Sequence, residues 1–179
     1  MTERDVVRMM RRLILEEGGD RTSFVHLQLG IPGSKNQFHY DRPLEKGSIL
    51  AVDAGAYVRM YTIDYPRMAV LGKATDEMKR LYRAVLSVNK EMADALRPGA
   101  KCSEIHAIGV AAIQEAGVVV DKGEKLKKGR MGHGQGILFT EPPSVTAGDH
   151  TVLEPGMVLS TEPGVTSNGI HFQFERHEI

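Results

Sequence analysis

Apolar residues recur at helical spacing in three stretches of the chain. Val6, Met10, Leu13 and Ile14 follow Thr2, a good N-cap, with Glu3 and Asp5 in the first turn and Gly18-Gly19 behind. Met78, Leu81, Tyr82, Val85, Val88, Met92 and Leu96 follow Thr75 and stop at Pro98-Gly99, which predicts a long amphipathic helix. Ile105, Ile108, Ala112 and Ile113 predict a third, with Ser103 as its cap and Gly117 as its end. The methionines at 9, 10, 78 and 92 fall on these stripes and are expected in the core.

Strand spacing fills most of the rest. Ser23–Leu29 alternates, Ser48–Val52 is an apolar run closed by Asp53, and Met60–Ile63 returns from it to Asp64. The last two lie close enough in sequence to pair antiparallel. Ile31 to Phe38 reads as a loop that delivers His39, and Val118 to Arg130 as a strand and a solvated lysine-rich turn. Met157–Ser160 and Ile170 to Phe174 are the later strands, the second ending at Glu175. Helix followed by strands occurs twice, with an early and a late Glu in each helix, which suggests two related halves about a pseudo-two-fold axis. An α+β class is expected, as a single domain over residues 1–179.

Composition narrows the role. Zero formal net charge provides no broad field for nucleic acid or an anionic membrane, and no apolar run reaches spanning length. The N-terminus lacks the basic and apolar regions of a signal peptide. A single cysteine, Cys102, excludes an internal disulfide and fits a reducing compartment, so a cytoplasmic address is expected. Cys102 precedes a helix and reads as a small buried residue.

The chemistry concentrates in Met131-Gly-His-Gly-Gln-Gly136 and four acids. Three glycines around a histidine give up chain entropy, which is reasonable where the backbone turns sharply or something approaches closely. Alone, such a histidine is an ordinary loop residue. Asp53, Asp64, Glu162 and Glu175, however, each sit in or at the end of an apolar strand, where an uncompensated carboxylate is costly. Arg67 and Arg176 can neutralise some of them. Two divalent cations would balance four carboxylates, with His133 as a nitrogen ligand; such a set suits Mn, Fe, Co or Zn. Two ions ~3.5–4 Å apart can share a hydroxide and polarise a carbonyl.

From Thr2 to Glu175 the chain resembles the methionine aminopeptidase, aminopeptidase P (prolidase) and creatinase superfamily. That resemblance implies the pita-bread fold: a curved antiparallel sheet with helices on its outer face and pseudo-two-fold halves. It implies two divalent metal ions, manganese first, held by Asp53 in Val-Asp-Ala-Gly-Ala, Asp64 in Thr-Ile-Asp-Tyr-Pro-Arg, His133 in Gly-His-Gly-Gln-Gly, Glu162 in Ser-Thr-Glu-Pro-Gly, and Glu175, with Glu178 as the other choice for the last. It makes Glu162 the proton shuttle for a metal-bridged hydroxide, and His39 in Asn-Gln-Phe-His-Tyr a substrate-side catalytic histidine. Pro98-Gly99 and the helices around it match the Xaa-Pro peptidase branch, so an Xaa-Pro dipeptide or N-terminal Xaa-Pro peptide is the expected substrate.

Two departures stand out. Where many peptidases of the family carry a second histidine, this chain has Thr140, a substrate-side position that can donate one hydrogen bond but carries no charge. That opens an alternative: hydrolysis or elimination on a small non-peptide substrate such as a creatine-like compound. A non-catalytic binding module is a third reading, opposed by five filled ligand positions. The family's N-terminal domain, opening helix and closing strand have no counterpart here, so the chain looks shortened at both ends. Marginal stability or self-association, as a homodimer, is therefore expected.

Overall fold

The computed structural model describes residues 1–30, 41–118, 129–167 and 170–178. His39, the loop over 31–38 and most of the lysine-rich turn lie outside the described residues. No helix described is long and apolar enough to cross a membrane.

Helix α1 (Glu3–Glu16) begins in a capping box. The Thr2 hydroxyl accepts from the Asp5 amide at 3.3 Å, and the Asp5 carboxylate accepts from the Thr2 amide at 2.8 Å. Val6 and Val7 bury against Val25, Leu27 and Ala54, with Met10 and Ile14 alongside. Met9 is 36% exposed, contrary to the expectation that it is core. One sheet covers one side of α1, so the rest of its apolar stripe is left at the margin.

That sheet is β1 (Arg21–Gly30), β2 (Ile49–Val58) and β3 (Tyr61–Val70), antiparallel in the order β1-β2-β3. The hairpin is longer than the sequence suggested. Asp53 and Asp64 stand inside ten-residue strands, not at their ends. Gly55 sustains the strand at Ala-Gly-Ala: a Cβ there would lie 2.8 Å from both the Ile63 carbonyl oxygen and the Phe24 ring. The turn falls at Arg59-Met60, both at positive φ (50° and 73°), a primed-turn geometry that neither residue type announces.

Helix α2 (Asp76–Ala95) is capped by the Thr75 hydroxyl, which accepts from the Met78 amide at 3.2 Å. Helix α3 (Cys102–Glu115) starts two residues earlier than expected. Lys101 is its N-cap, and Ser103 instead pairs its hydroxyl with His150 Nδ1 at 3.1 Å. Gly109 lets α3 approach its neighbours, since a Cβ there would meet the Met92 and Met131 sulfurs at 2.6 and 2.7 Å. Both helices cover the main core, which includes Ile49, Leu81, Val85, Met92, Ile105, Ile113 and Phe172.

A second sheet is built from β4 (Gly132–Gly134), β5 (Glu141–Ser144), β6 (Leu159–Thr161) and β9 (Arg176–Glu178), in the order β5-β4-β6-β9. A hairpin of β7 (Gly164–Ser167) and β8 (Ile170–Gln173) stands beside it. No strand was expected after the last acid, yet β9 follows Glu175 and pairs with β6. Helix-then-strands does occur twice, α1 before β1–β3 and α3 before β4–β9.

The β4 glycines permit close packing. A Cβ on Gly132 would overlap the Ser160 carbonyl oxygen of β6, and one on Gly134 the Pro142 carbonyl oxygen of β5. Gly132→Ala is expected to cost about 2 kcal/mol, a fall in Tm of roughly 4–8 °C, whereas Gly148→Ala, with nothing within 4 Å of the new carbon, leaves Tm in place. Equal melting of the two variants in calorimetry would contradict this packing.

Candidate metal centre

The alternation of the strands brings the predicted residues to a common face. On the first sheet Asp53 pairs with Pro66 and Gly55 with Asp64, so the two aspartates are diagonal neighbours on one face. On the second, His133 pairs with Ser160, and Ser160 with His177. Glu162 and Glu175 continue the same alternation just beyond β6 and just before β9. A hydrogen bond of 2.9 Å from the Thr62 amide to the Gly136 carbonyl joins β3 to the loop after β4. It sets Asp64 beside His133.

Asp64, His133 and Glu175, all buried, each present one ligand atom, and these lie within 4.8 Å of one another. His133 Nδ1 donates to the Gly134 carbonyl at 2.9 Å, because a carbonyl can only accept. That bond turns Nε2 toward the acids. Buried without a hydrogen-bond partner, Nε2 lies 3.7 Å from Asp64 Oδ2, 3.8 Å from Glu162 Oε1 and 4.0 Å from Glu175 Oε1. Three carboxylate oxygens around an unsatisfied imidazole nitrogen, each beyond hydrogen-bond length, form a donor set that fits a divalent cation.

The electrostatics agree. Burial, then the nearby Asp64 and Glu162, pushes Asp53 up to about 8, and its buried Oδ1 has no hydrogen-bond partner. Burial and Asp64 push Glu175 up to about 10, against a Ser160 hydroxyl that donates to Oε1. Burial also raises Glu162, although Arg130 and His133 pull it down. At His133 burial resists protonation, but Asp64, the Gly134 carbonyl and Glu162 outweigh it and raise the pKa. The field that would hold a proton on the imidazole also attracts a cation.

Four residues around this cluster escaped the sequence reading. Arg130 Nε donates to Glu162 Oε1 at 3.1 Å, with Nη2 in ion-pair contact at 3.1 Å, and Gln173 donates to Oε2 at 3.2 Å. Ser160 and Gln173 stand two residues before Glu162 and Glu175, a strand-period signal that could have found them. Asn89, fully buried on α2, donates to the Thr161 carbonyl at 2.7 Å, the Thr161 hydroxyl at 3.2 Å and the Phe174 carbonyl at 3.2 Å. It ties together the residues just before Glu162 and Glu175. A polar residue inside the apolar stripe Val85, Val88, Met92 was its signal.

Other candidates fall elsewhere. Thr140 is half-buried in the loop before β5 and is not among the residues gathered at His133. The side chain of Glu178 is not described; Glu175 is the acid that joins His133 and Asp64. Arg67 stacks on Tyr65 at 3.5 Å and Phe174 at 4.5 Å and donates to the carbonyls of Pro66 and Glu175. Cys102 is buried, which pushes its thiol up to about 11, as a structural residue would be. His106 is buried against the Gly129 carbonyl at 2.9 Å.

Residues 1–177 match the model of metallopeptidase family M24. The chain belongs to this family. An M24 relative named Xaa-Pro dipeptidase, from Pyrococcus horikoshii, is 34% identical over 125 residues, 70% of this chain and 34% of that protein. A probable dipeptidase PepE from Mycobacterium tuberculosis is 31% identical over 166 residues, 92% of this chain and 43% of that protein. The prolidase from Pyrococcus furiosus superposes with a TM-score of 0.85 at 26% identity, covering 99% of this chain and 52% of that one. The fold is thus the M24 pita-bread fold, and the chain spans between about a third and about half of the length of these relatives.

The raised acids make stability depend on pH. Unfolded, Asp53 and Glu175 ionise near their ordinary values of 3.8 and 4.5; folded and metal-free, they hold protons to about 8 and about 10. The folded chain binds more protons across that window, so stability is greatest at its acid end and falls as pH rises. Denaturant melts in chelator should weaken from about pH 5 to about pH 9, and Mn²⁺ should restore most at the alkaline end. A metal-free chain equally stable at both would overturn this account of the cluster.

Proposed function

We propose that this chain carries the metal-dependent catalytic unit of a peptidase that cleaves Xaa-Pro dipeptides or N-terminal Xaa-Pro peptides, working with two divalent ions. The observation that carries this reading is the unsatisfied Nε2 of His133, ringed by oxygens of Asp64, Glu162 and Glu175 in a chain of family M24. The names of the relatives supply the substrate class.

In this reading Asp53, Asp64, His133, Glu162 and Glu175 hold the metal, with manganese the first choice. When bound, it supplies a Lewis acid toward the scissile carbonyl and lowers the pKa of a water. The protein's own groups do the rest. Glu162, fixed at both oxygens by Arg130 and Gln173, receives the proton given up by the attacking water and returns it to the leaving amine. Ser160 and Asn89 keep Glu175 and Glu162 in register. His39 is assigned to the substrate side on sequence grounds. The buried Cys102 supports a cytoplasmic address, and exposed Ile63, Tyr65, Leu13 and Leu15 support a homodimer.

Elemental analysis after Mn²⁺ reconstitution tests the reading. The wild type should carry about two equivalents per chain, and His133→Ala distinctly fewer, with Ala-Pro hydrolysis lost in the variant. A folded wild type that takes up no metal would remove the enzymatic reading altogether.

A further inference from the structure

Gln173, which holds one oxygen of Glu162, also hydrogen-bonds to His171. This histidine stands on β8, four residues before Glu175. Its Nδ1 meets the Thr166 hydroxyl of β7 at 3.1 Å. Its other edge lies against Gly164, where a Cβ would sit 2.6 Å from Cε1 and 2.7 Å from Nε2. Glycine in Thr-Glu-Pro-Gly is therefore what admits the ring beside Glu162. The imidazole is half-buried, and burial holds its pKa below the usual value, so it is neutral at physiological pH.

His171 forms one wall of a cavity of about 50 Å³ between β8 and the face of β1–β3, opposite Asp53. His26, Gln28, Arg67 and Gln173 share the lining. Asp53 Oδ1 is buried without a hydrogen-bond partner. Apart from Asp53, every polar side chain in this lining carries N–H groups. The space admits a carbonyl or carboxyl group. Where the Thr166 hydroxyl donates to Nδ1, Nε2 carries the hydrogen, and an incoming oxygen would accept it in competition with Gln173.

We propose that His171 is a substrate-binding residue whose imidazole donates to a carbonyl or carboxylate oxygen of the Xaa-Pro substrate, filling from β8 the role that Thr140 cannot. The proposal rests on the Xaa-Pro reading above. It gives the chain a neutral imidazole close to Glu162 although the position after the metal histidine lacks one.

The test uses the Mn²⁺-loaded full chain and Ala-Pro. The His171 ring signals in ¹H–¹⁵N spectra, taken on the zinc-loaded protein to avoid paramagnetic broadening, should shift on adding Ala-Pro. His171→Ala should raise KM about tenfold with kcat changed less than about threefold and metal content unchanged. His171→Gln, whose amide still donates, should recover most of the loss. Should His171→Ala fail to fold, the wild-type spectra and the Gln variant still decide. Ala-Pro binding and turnover with unmoved His171 signals and unchanged KM would overturn the role of His171 and leave the peptidase reading standing. Metal uptake with neither binding nor turnover of Ala-Pro would overturn the substrate reading, and this proposal with it.

Discussion

Carboxylates that repel one another and lose their water are brought together here, and much of the architecture serves to hold them. Asp53 and Asp64 share one face of the long hairpin, and Glu162 and Glu175 flank β6 across from it. Burial and mutual repulsion push the pKa values of Asp53, Glu162 and Glu175 upward, a sign of the work of assembling such a cluster without a cation. The chain offsets part of that work with Arg130 on Glu162, the Ser160 hydroxyl on Glu175 and the imidazole of His133. What remains is a site whose donor set fits a divalent cation.

The helices were legible because caps and stripes are local signals: Thr2, Thr75 and the run from Leu81 to Met92 stated their roles directly. Lys101 displaced Ser103 as a cap because a cap is set by backbone conformation, which Lys101 adopts, as much as by residue type. The ends of β2 and β3 were misjudged because Ala-Gly-Ala resembles a turn. The real turn uses Arg59 and Met60 in left-handed geometry that only tertiary structure reveals. The centre itself was read from acids in apolar strands and from the spacing of its motifs. Its supports were not, because Arg130, Gln173 and Asn89 act through contacts over 32, 11 and up to 85 residues of sequence.

Membership of family M24 and the prolidase-like fold explain why short strands suffice on one side of the site. β4, β6 and β9 are three residues each, yet lateral pairing puts His133 level with Ser160 and His177, two residues before Glu162 and two after Glu175. The glycines of β4 are the condition for that compression, since Ser160 on one side and Pro142 on the other leave no room for a Cβ. A histidine among glycines is thus explained by its neighbours' backbones, not by a sharp turn at the histidine.

The bond from Thr62 to Gly136 makes the centre a seam as well as a site. Asp53 and Asp64 belong to one sheet, His133 and its partners to another. Each sheet keeps its own ladder. The main core, which joins Ile49 of the first sheet to Leu159 and Phe172 of the second side, holds the aspartates and the imidazole in one frame. A centre so placed depends on the alignment of the two sheets as well as on each sheet's own ladder.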